Sequence, residues 1–581
     1  MHDMVIRGGT VFDGTGNTPF KADIAIDGQT ITKVGDVVDS GRKEIDATGQ
    51  IVTPGFIDIH THYDGQVTWD PYLQPSTFHG VTTAVMGNCG VGFAPCKPDE
   101  HDWLIGLMEG VEDIPGTALA EGIDWRWESF PEYMKAVEES PLALDIGLQV
   151  PHGALRAYVM GQRGADLEPA NDDDIKKMSS LVVDALNAGA LGFSTSRTEK
   201  HRDKNGAHTP SFKAETAELH GIAAAMGKAN KGVVQLIADF HDFEPEFALI
   251  RGMAEVSGRP LSLTIEQDDR YPDIWKNVLD GIAAAADKGL PMRGQVPPRP
   301  TGVLLGLTST LNPFIMHNSY RAIAHLPLEE QVKQLHDPDF RAKLLGEEPA
   351  YPEGQIITML CTAYHKMFEL GDPPNYEPDP SDSAGAVANS QGKTGREMVL
   401  DWMLARDGHA LLYFPLMNYM GGSLDDVRTM MTHPNVAFGL GDGGAHVGIL
   451  CDASFPTTIL THWGRDRTRG PKLPLEWLIR GQTKTNAEIV GLLDRGVLAP
   501  GMKADVNVID FDHLRLHSPE IVFDLPAGGK RLIQKADGYT MTIISGQVAF
   551  ENGNPTGTLN GKLIRGAKQR PEGVNIPVAA D

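Results

Sequence analysis

Two histidines, His60 and His62, stand two residues apart in GFIDIHTHYD, residues 55–64, with acids on either side. If this run is a strand, Ile57 and Ile59 face one side while Asp58, His60 and His62 face the other. Alternate residues of a strand lie about 6.5–7 Å apart, so both imidazoles can reach one ion held between them. The chain has 20 histidines in 581 residues, so chance alone supplies about 0.7 His-x-His pairs and the bare spacing is weak. The position after VTPGFID and ahead of a first helix is what gives the pair weight. The competing reading is two histidines hydrogen-bonded at a strand end.

An ion needs further ligands. GVTTAVMGNCG ends a second apolar run at Cys89, whose thiolate suits zinc and can bridge two ions. A small buried residue in a glycine-rich turn is the alternative. NVAFGLGDGGAH ends a late apolar run at Asp442, where a carboxylate can touch a metal and take a proton from water. Asp442 could instead be a helix N-cap.

The elements that must position these residues are of two textures. MVIRGGTVFDG, ADIAIDGQTITKVG and KEIDATGQIVTPG alternate apolar and polar residues and break at glycine, and KADVNVIDFD and TMTIISGQVAFENGNP do so near the other end. Two strand-rich segments at opposite ends can share one β-sandwich, since chain termini often lie close together. Between them, short apolar runs alternate with helix-length amphipathic stretches. Residues 172–188 predict a helix, with Asp172–Asp174 at its start and Gly189 after its end. Strand candidates fall at 55–62, 81–87, 143–150, 189–195, 233–239, 260–266, 291–296 and 435–442. Eight of them in one segment fit a (β/α)8 barrel. The expected organisation is therefore an α/β TIM barrel over residues 54–490, with a small β-sandwich from residues 1–53 and 491–581. An insertion over the barrel mouth is expected at about 318–405. Within it, the Pro-, Asp- and Ser-rich stretch 371–392 reads as a mobile loop.

Composition narrows the function classes. A net charge of −26 leaves no basic surplus to neutralise phosphates, so no nucleic-acid partner is expected. No apolar run approaches the ~18 residues of a membrane span, and the first residues do not read as a secretory signal. The four cysteines, Cys89, Cys96, Cys361 and Cys451, are too scattered for a disulfide framework. A reduced cytoplasmic enzyme acting on a small molecule is the expectation, with homo-oligomerisation left open.

IVTPGFIDIHTHYD, GVTTAVMGNCGVGFAP, NAGALGFSTS and GVLAPGMKADVNVID together resemble the amidohydrolase superfamily, and within it the D-aminoacylase (N-acyl-D-amino-acid deacylase) group. The resemblance spans almost the whole chain in the family's motif order. It implies a metal-dependent hydrolase built as a barrel with a sandwich from both chain ends. It places His60, His62, Cys89 and Asp442 on metal or catalytic positions. VPHGALR resembles the family's His-Gly-x-Leu-Arg element, which puts His152 near the mouth of the site.

The resemblance breaks on the fifth and sixth strands. D-aminoacylases carry a histidine at the end of each; here GVVQLIADFHD and GRPLSLTIEQDD put Ile237 and Ile265 there. An aliphatic side chain has no lone pair for a metal. One ion, expected to be zinc, then sits at the His60–His62–Asp442 corner, or His201, His241, Glu266 or Gln267 joins it. Arg197 could hold a substrate carboxylate through a bidentate contact or be a surface arginine. His446 is a further candidate for substrate binding, as is His201. The expected function is hydrolysis of an amide bond, of an N-acyl amino acid, with Asp442 as general base and then acid. The alternatives are a hydrolase of cyclic amides or imides and a metal-poor barrel kept for binding or assembly.

Overall fold

In the computed structural model, which describes residues 1–352, 354–574 and 576, the two ends of the chain meet in one sheet. Strands between His2 and Pro54 and strands between Val506 and Pro555 form nine strands in all. The seam is the antiparallel pair Ile51–Pro54 and Val506–Ile509, with Thr53 opposite Asn507. Ile6, Ile24, Val52, Val506 and Ile543 pack into one core there, so the expected sandwich is a single sheet whose two halves share an interior. Residues 577–581 of the expected C-terminal part, residue 353 of the insertion and residue 575 lie outside the described residues.

The barrel strands are Phe56–Asp58, Val81–Met86, Asp145–Pro151, Gly192–Arg197, Val233–Ala238, Leu261–Thr264, Met292–Val296 and Val436–Phe438, ordered as in the chain. Each neighbouring pair is parallel. The first and last are shorter than their expected ranges, because beyond them the backbones turn to each other. A parallel bridge joins Thr61 to Gly443. His62 N–H donates to Gly443 C=O at 2.8 Å and Asp442 N–H to His60 C=O at 3.0 Å. That closure sets the histidines and the aspartate side by side.

Ile57 and Ile59 pack outward on Leu191, Ala487 and Val490, as the alternation requires. The helix Asp172–Ala188 starts where Asn171 accepts the N–H groups of Asp173 and Asp174, and stops at Gly189, whose φ of +112° an L side chain rarely adopts.

Between the seventh and eighth barrel strands a further unit has its own core, including Val303, Leu335, Leu344, Val399 and Phe414. Its strand Gly302–Leu305 pairs with Leu412–Pro415, so the unit starts before the expected residue 318. The stretch 371–392 is not the open loop its composition suggests. It contains the helix Ala384–Gln391, capped by Ser383. Its buried Glu377 takes a two-pronged contact from Arg467 at 2.9 and 3.0 Å and one from His462 Nε2 at 3.0 Å. All four cysteines are free and buried. Among the described residues no helix is long and apolar enough to cross a membrane.

Candidate metal centre

His60 and His62 follow the first barrel strand and Cys89 follows the second, so all three emerge at one end of the barrel. One ligand atom from each lies within 4.8 Å of the other two, and all three residues are buried. His60 Nε2 is 3.1 Å from Cys89 Sγ. Asp442 Oδ1 is 3.4 Å from His60 Nε2 and 3.6 Å from His62 Nε2. Cys89 and Asp442 both sit at positive φ, +53° and +45°, a strained conformation that aims their side chains inward.

The residues fit a divalent cation. Asp442 Oδ1 is buried with no hydrogen-bond partner, and two imidazoles, a thiol and a carboxylate are a zinc donor set. The electrostatics agree. Burial opposes charge on Cys89, but His60 and His62 outweigh it and lower the thiol's pKa. Burial likewise opposes ionised Asp442, yet the same histidines hold it well below the usual carboxylate range. Burial also disfavours a charged His60, but Cys89 and Asp442 raise its pKa to about 9.

Glutamines from alternate strands hold this cluster from below. Gln295, on the seventh strand, accepts from His60 Nδ1 at 2.8 Å, and Gln235, on the fifth, accepts the Cys89 N–H at 2.7 Å. Gln149, on the third, donates to Asn88 Oδ1 at 2.8 Å. Asp58 Oδ1 accepts the His60 N–H at 3.1 Å, and burial pushes its carboxyl up to about 7. Residues from odd strands forming one layer is the packing rule of this barrel type. Their signal in the sequence is a lone glutamine inside an apolar strand.

Above the cluster opens a cavity of about 430 Å³. Val111, Ile237, Leu311, Ile356, Leu416 and Leu450 give it a largely aliphatic wall, and Ile356 and Leu360 come from the helix Ile356–Thr362 of the inserted unit. Lys200 and Glu266 also face it, 3.9 Å apart, with Glu266 accepting from Thr301 Oγ1 at 2.6 Å.

The other sequence candidates divide. His201 and His446 line the cavity. His201 is kept neutral, its pKa pushed to about 3 by burial and then by His446 and His62. His152 does not line the cavity. It is fully buried between Thr195 Oγ1 and Glu218 Oε1, each at 2.8 Å, and Glu218 also takes Arg156 Nε. Arg197 points away too, its guanidinium paired with both oxygens of Glu246 and with Ala214 C=O. Both side chains are committed to these partners and are not among the residues that line the cavity. Gln267 is occupied by Asp426, Met420 N–H and Asn418. His241 groups at the surface with Glu199 and Asp239 and lies against Tyr271. Ile237 lines the cavity and Ile265 is buried beside it. Glu112 escaped the sequence reading altogether. It is a buried acid at the cavity, 3.3 Å from His62 Nδ1 and 3.9 Å from His446 Nε2.

A model of the amidohydrolase family matches residues 43–550. An uncharacterised protein of Mycobacterium tuberculosis is 27% identical over 592 aligned positions, 95% of this chain and 92% of that one. D-aminoacylase of Alcaligenes xylosoxydans xylosoxydans is 35% identical over 195 positions, 33% of this chain and 37% of its own. A crystal structure of D-aminoacylase superposes with a TM-score of 0.65 at 23% identity, covering 98% of this chain and 100% of that one, which supports the barrel fold.

Proposed function

The chain belongs to the amidohydrolase family, and from that premise we propose that it hydrolyses the amide bond of an N-acyl amino acid at a single divalent ion, zinc. It is a hydrolase of carbon–nitrogen bonds other than peptide bonds, of the D-aminoacylase type. The observation that carries the finer reading is the meeting of His60, His62 and Cys89 with the unpaired Asp442 Oδ1.

His60, His62 and Cys89 hold the ion, with Asp442 beside it. When bound, the ion supplies Lewis acidity to the scissile carbonyl and eases deprotonation of water. Asp442 accepts the attacking water's proton at Oδ1 as the carbon–oxygen bond forms. It returns a proton to the nitrogen as the carbon–nitrogen bond breaks, leaving a carboxylic acid and an amine. The largely aliphatic wall around Ile237 and Leu416 lowers the polarity beside the charges below it. Two ions are not expected, because Ile237 and Ile265 offer no donor on the far side of Cys89.

The test is elemental analysis of protein purified without chelator, followed by a panel of N-acyl-D-amino acids, N-acyl-L-amino acids and cyclic imides. Zinc near one per chain and release of a free amino acid are expected. Parent protein that binds no ion, or whose thermal stability responds to added zinc no differently from His60→Ala, would overturn the metal assignment. Turnover confined to cyclic imides would overturn the substrate assignment.

A further inference from the structure

We propose that Glu112 is a positioning residue, fixing the His62 imidazole so that its Nε2 faces the cavity, as Gln295 does for His60. The inference rests on the reading of that histidine pair as metal-holding. Glu112 is the last residue of the helix His101–Glu112, where the helix dipole disfavours an acid. Its side chain is 2% exposed, a costly place for a carboxylate unless a partner compensates. Neither a lysine nor an arginine pairs with it among the described residues; its charged-group contacts are His62 and His446. An acid that is unfavourable both by its helix position and by its burial is explained by what it faces.

Both histidines turn Nε2 toward Asp442 and have an oxygen behind Nδ1. His60 offers Nδ1 to a neutral amide, Gln295 Oε1 at 2.8 Å, and Nε2 to Cys89 and Asp442. His62 has Nδ1 at an ion-pair distance of 3.3 Å from Glu112 Oε1, without the hydrogen-bond geometry of the Gln295 contact, and Nε2 toward Asp442 at 3.6 Å. A carboxylate behind one ring nitrogen fixes the tautomer and makes the other a stronger donor to a metal. The second Glu112 oxygen lies 3.9 Å from His446 Nε2, so one carboxylate faces a cavity-wall histidine as well as His62. The support thus comes from outside the barrel strands, on a helix that a search of strand ends passes over.

Glu112→Gln keeps the shape and removes the charge. Zinc affinity, measured by competition with a chromophoric chelator, is expected to fall 10–100-fold. The visible absorption of the cobalt(II)-loaded protein should change, and kcat should drop with KM near the parent value. Glu112→Asp keeps the charge on a shorter arm and should recover part of the affinity, and it carries the test if Glu112→Gln does not fold. In a His62→Ala background Glu112→Gln should add no further loss of zinc affinity, whereas a merely structural residue would add its full effect. Parent-like affinity and cobalt spectrum in Glu112→Gln, or full additivity with His62→Ala, would overturn the proposal. Zinc affinity and the cobalt spectrum, the two readouts that decide the proposal, need no substrate. Parent protein that binds zinc but cleaves no N-acyl amino acid therefore sinks the proposed substrate and leaves Glu112 standing.

Discussion

His60 Nδ1 lies 2.8 Å from Gln295 Oε1, and the amide is held the right way round because Gln295 Nε2 donates to Ser262 Oγ at 2.9 Å. An imidazole that donates from Nδ1 to this amide leaves Nε2, facing Cys89, as the nitrogen to offer a metal. Gln295→Leu leaves a buried ring nitrogen unpaired and frees the tautomer. It should cost about 1–3 kcal/mol of stability and weaken zinc binding about 10–100-fold. Urea denaturation and chelator competition read the two effects separately. Parent-like zinc affinity in this variant would mean that the amide does not set the ring.

Asp442 is the carboxylate whose Oδ1 has no hydrogen-bond partner in the cluster. Asp442→Asn keeps its shape and removes the base. We expect kcat to fall by about 10²–10⁴-fold with KM little changed and zinc still bound, because His60, His62 and Cys89 remain. Steady-state kinetics beside metal analysis checks this. Activity within a few-fold of the parent would take Asp442 out of the proton transfer.

Arg197, with 14% of its side chain exposed, is committed to Glu246 and Ala214 C=O. Arg197→Met should therefore lower stability by about 1–3 kcal/mol and leave KM for an N-acyl amino acid where it was. A KM raised tenfold or more, with stability unchanged, would return Arg197 to the substrate-binding role its sequence context suggested.

What was legible in the sequence was local. The alternation of Ile57 and Ile59 against Asp58, His60 and His62 has a period of two, so the direction of the side chains follows from the strand alone. Asp442 was legible for a similar reason, as an acid ending an apolar run before two glycines. Arg197 and His152 misled because their partners lie far along the chain: Glu246 is 49 residues from Arg197 and Glu218 is 66 from His152. A motif shows that an arginine is present and is silent on which acid will reach it first. Glu112 was hidden because it ends a helix, and only packing carries that helix end to His62. The 371–392 stretch lacks an apolar period because its anchor is a charge cluster, Glu377 with Arg467 and His462.

His79 offers a pH test away from the metal-facing residues. It is fully buried, with Nδ1 at 2.9 Å from Thr457 Oγ1 and Nε2 donating to Gln534 C=O at 3.0 Å. Burial pushes its pKa down to about 3, with Arg299 adding to the effect and Gln534 opposing it. In the unfolded chain it titrates near the ordinary 6.5. Below that value the unfolded state binds the extra proton, so stability is complete above pH 6.5 and declines as pH falls toward 3. At about 1.4 kcal/mol per pH unit, this one group removes roughly 2 kcal/mol between pH 7 and pH 5. His79→Gln, which cannot titrate, should start less stable at pH 7 and lose that much less on acidification. Other buried groups such as Asp58 and Asp64 titrate alike in both proteins, so the difference between the two curves isolates His79. Parallel urea-denaturation profiles from pH 7.5 to 5 would show that His79 titrates in the fold as it does in the unfolded chain.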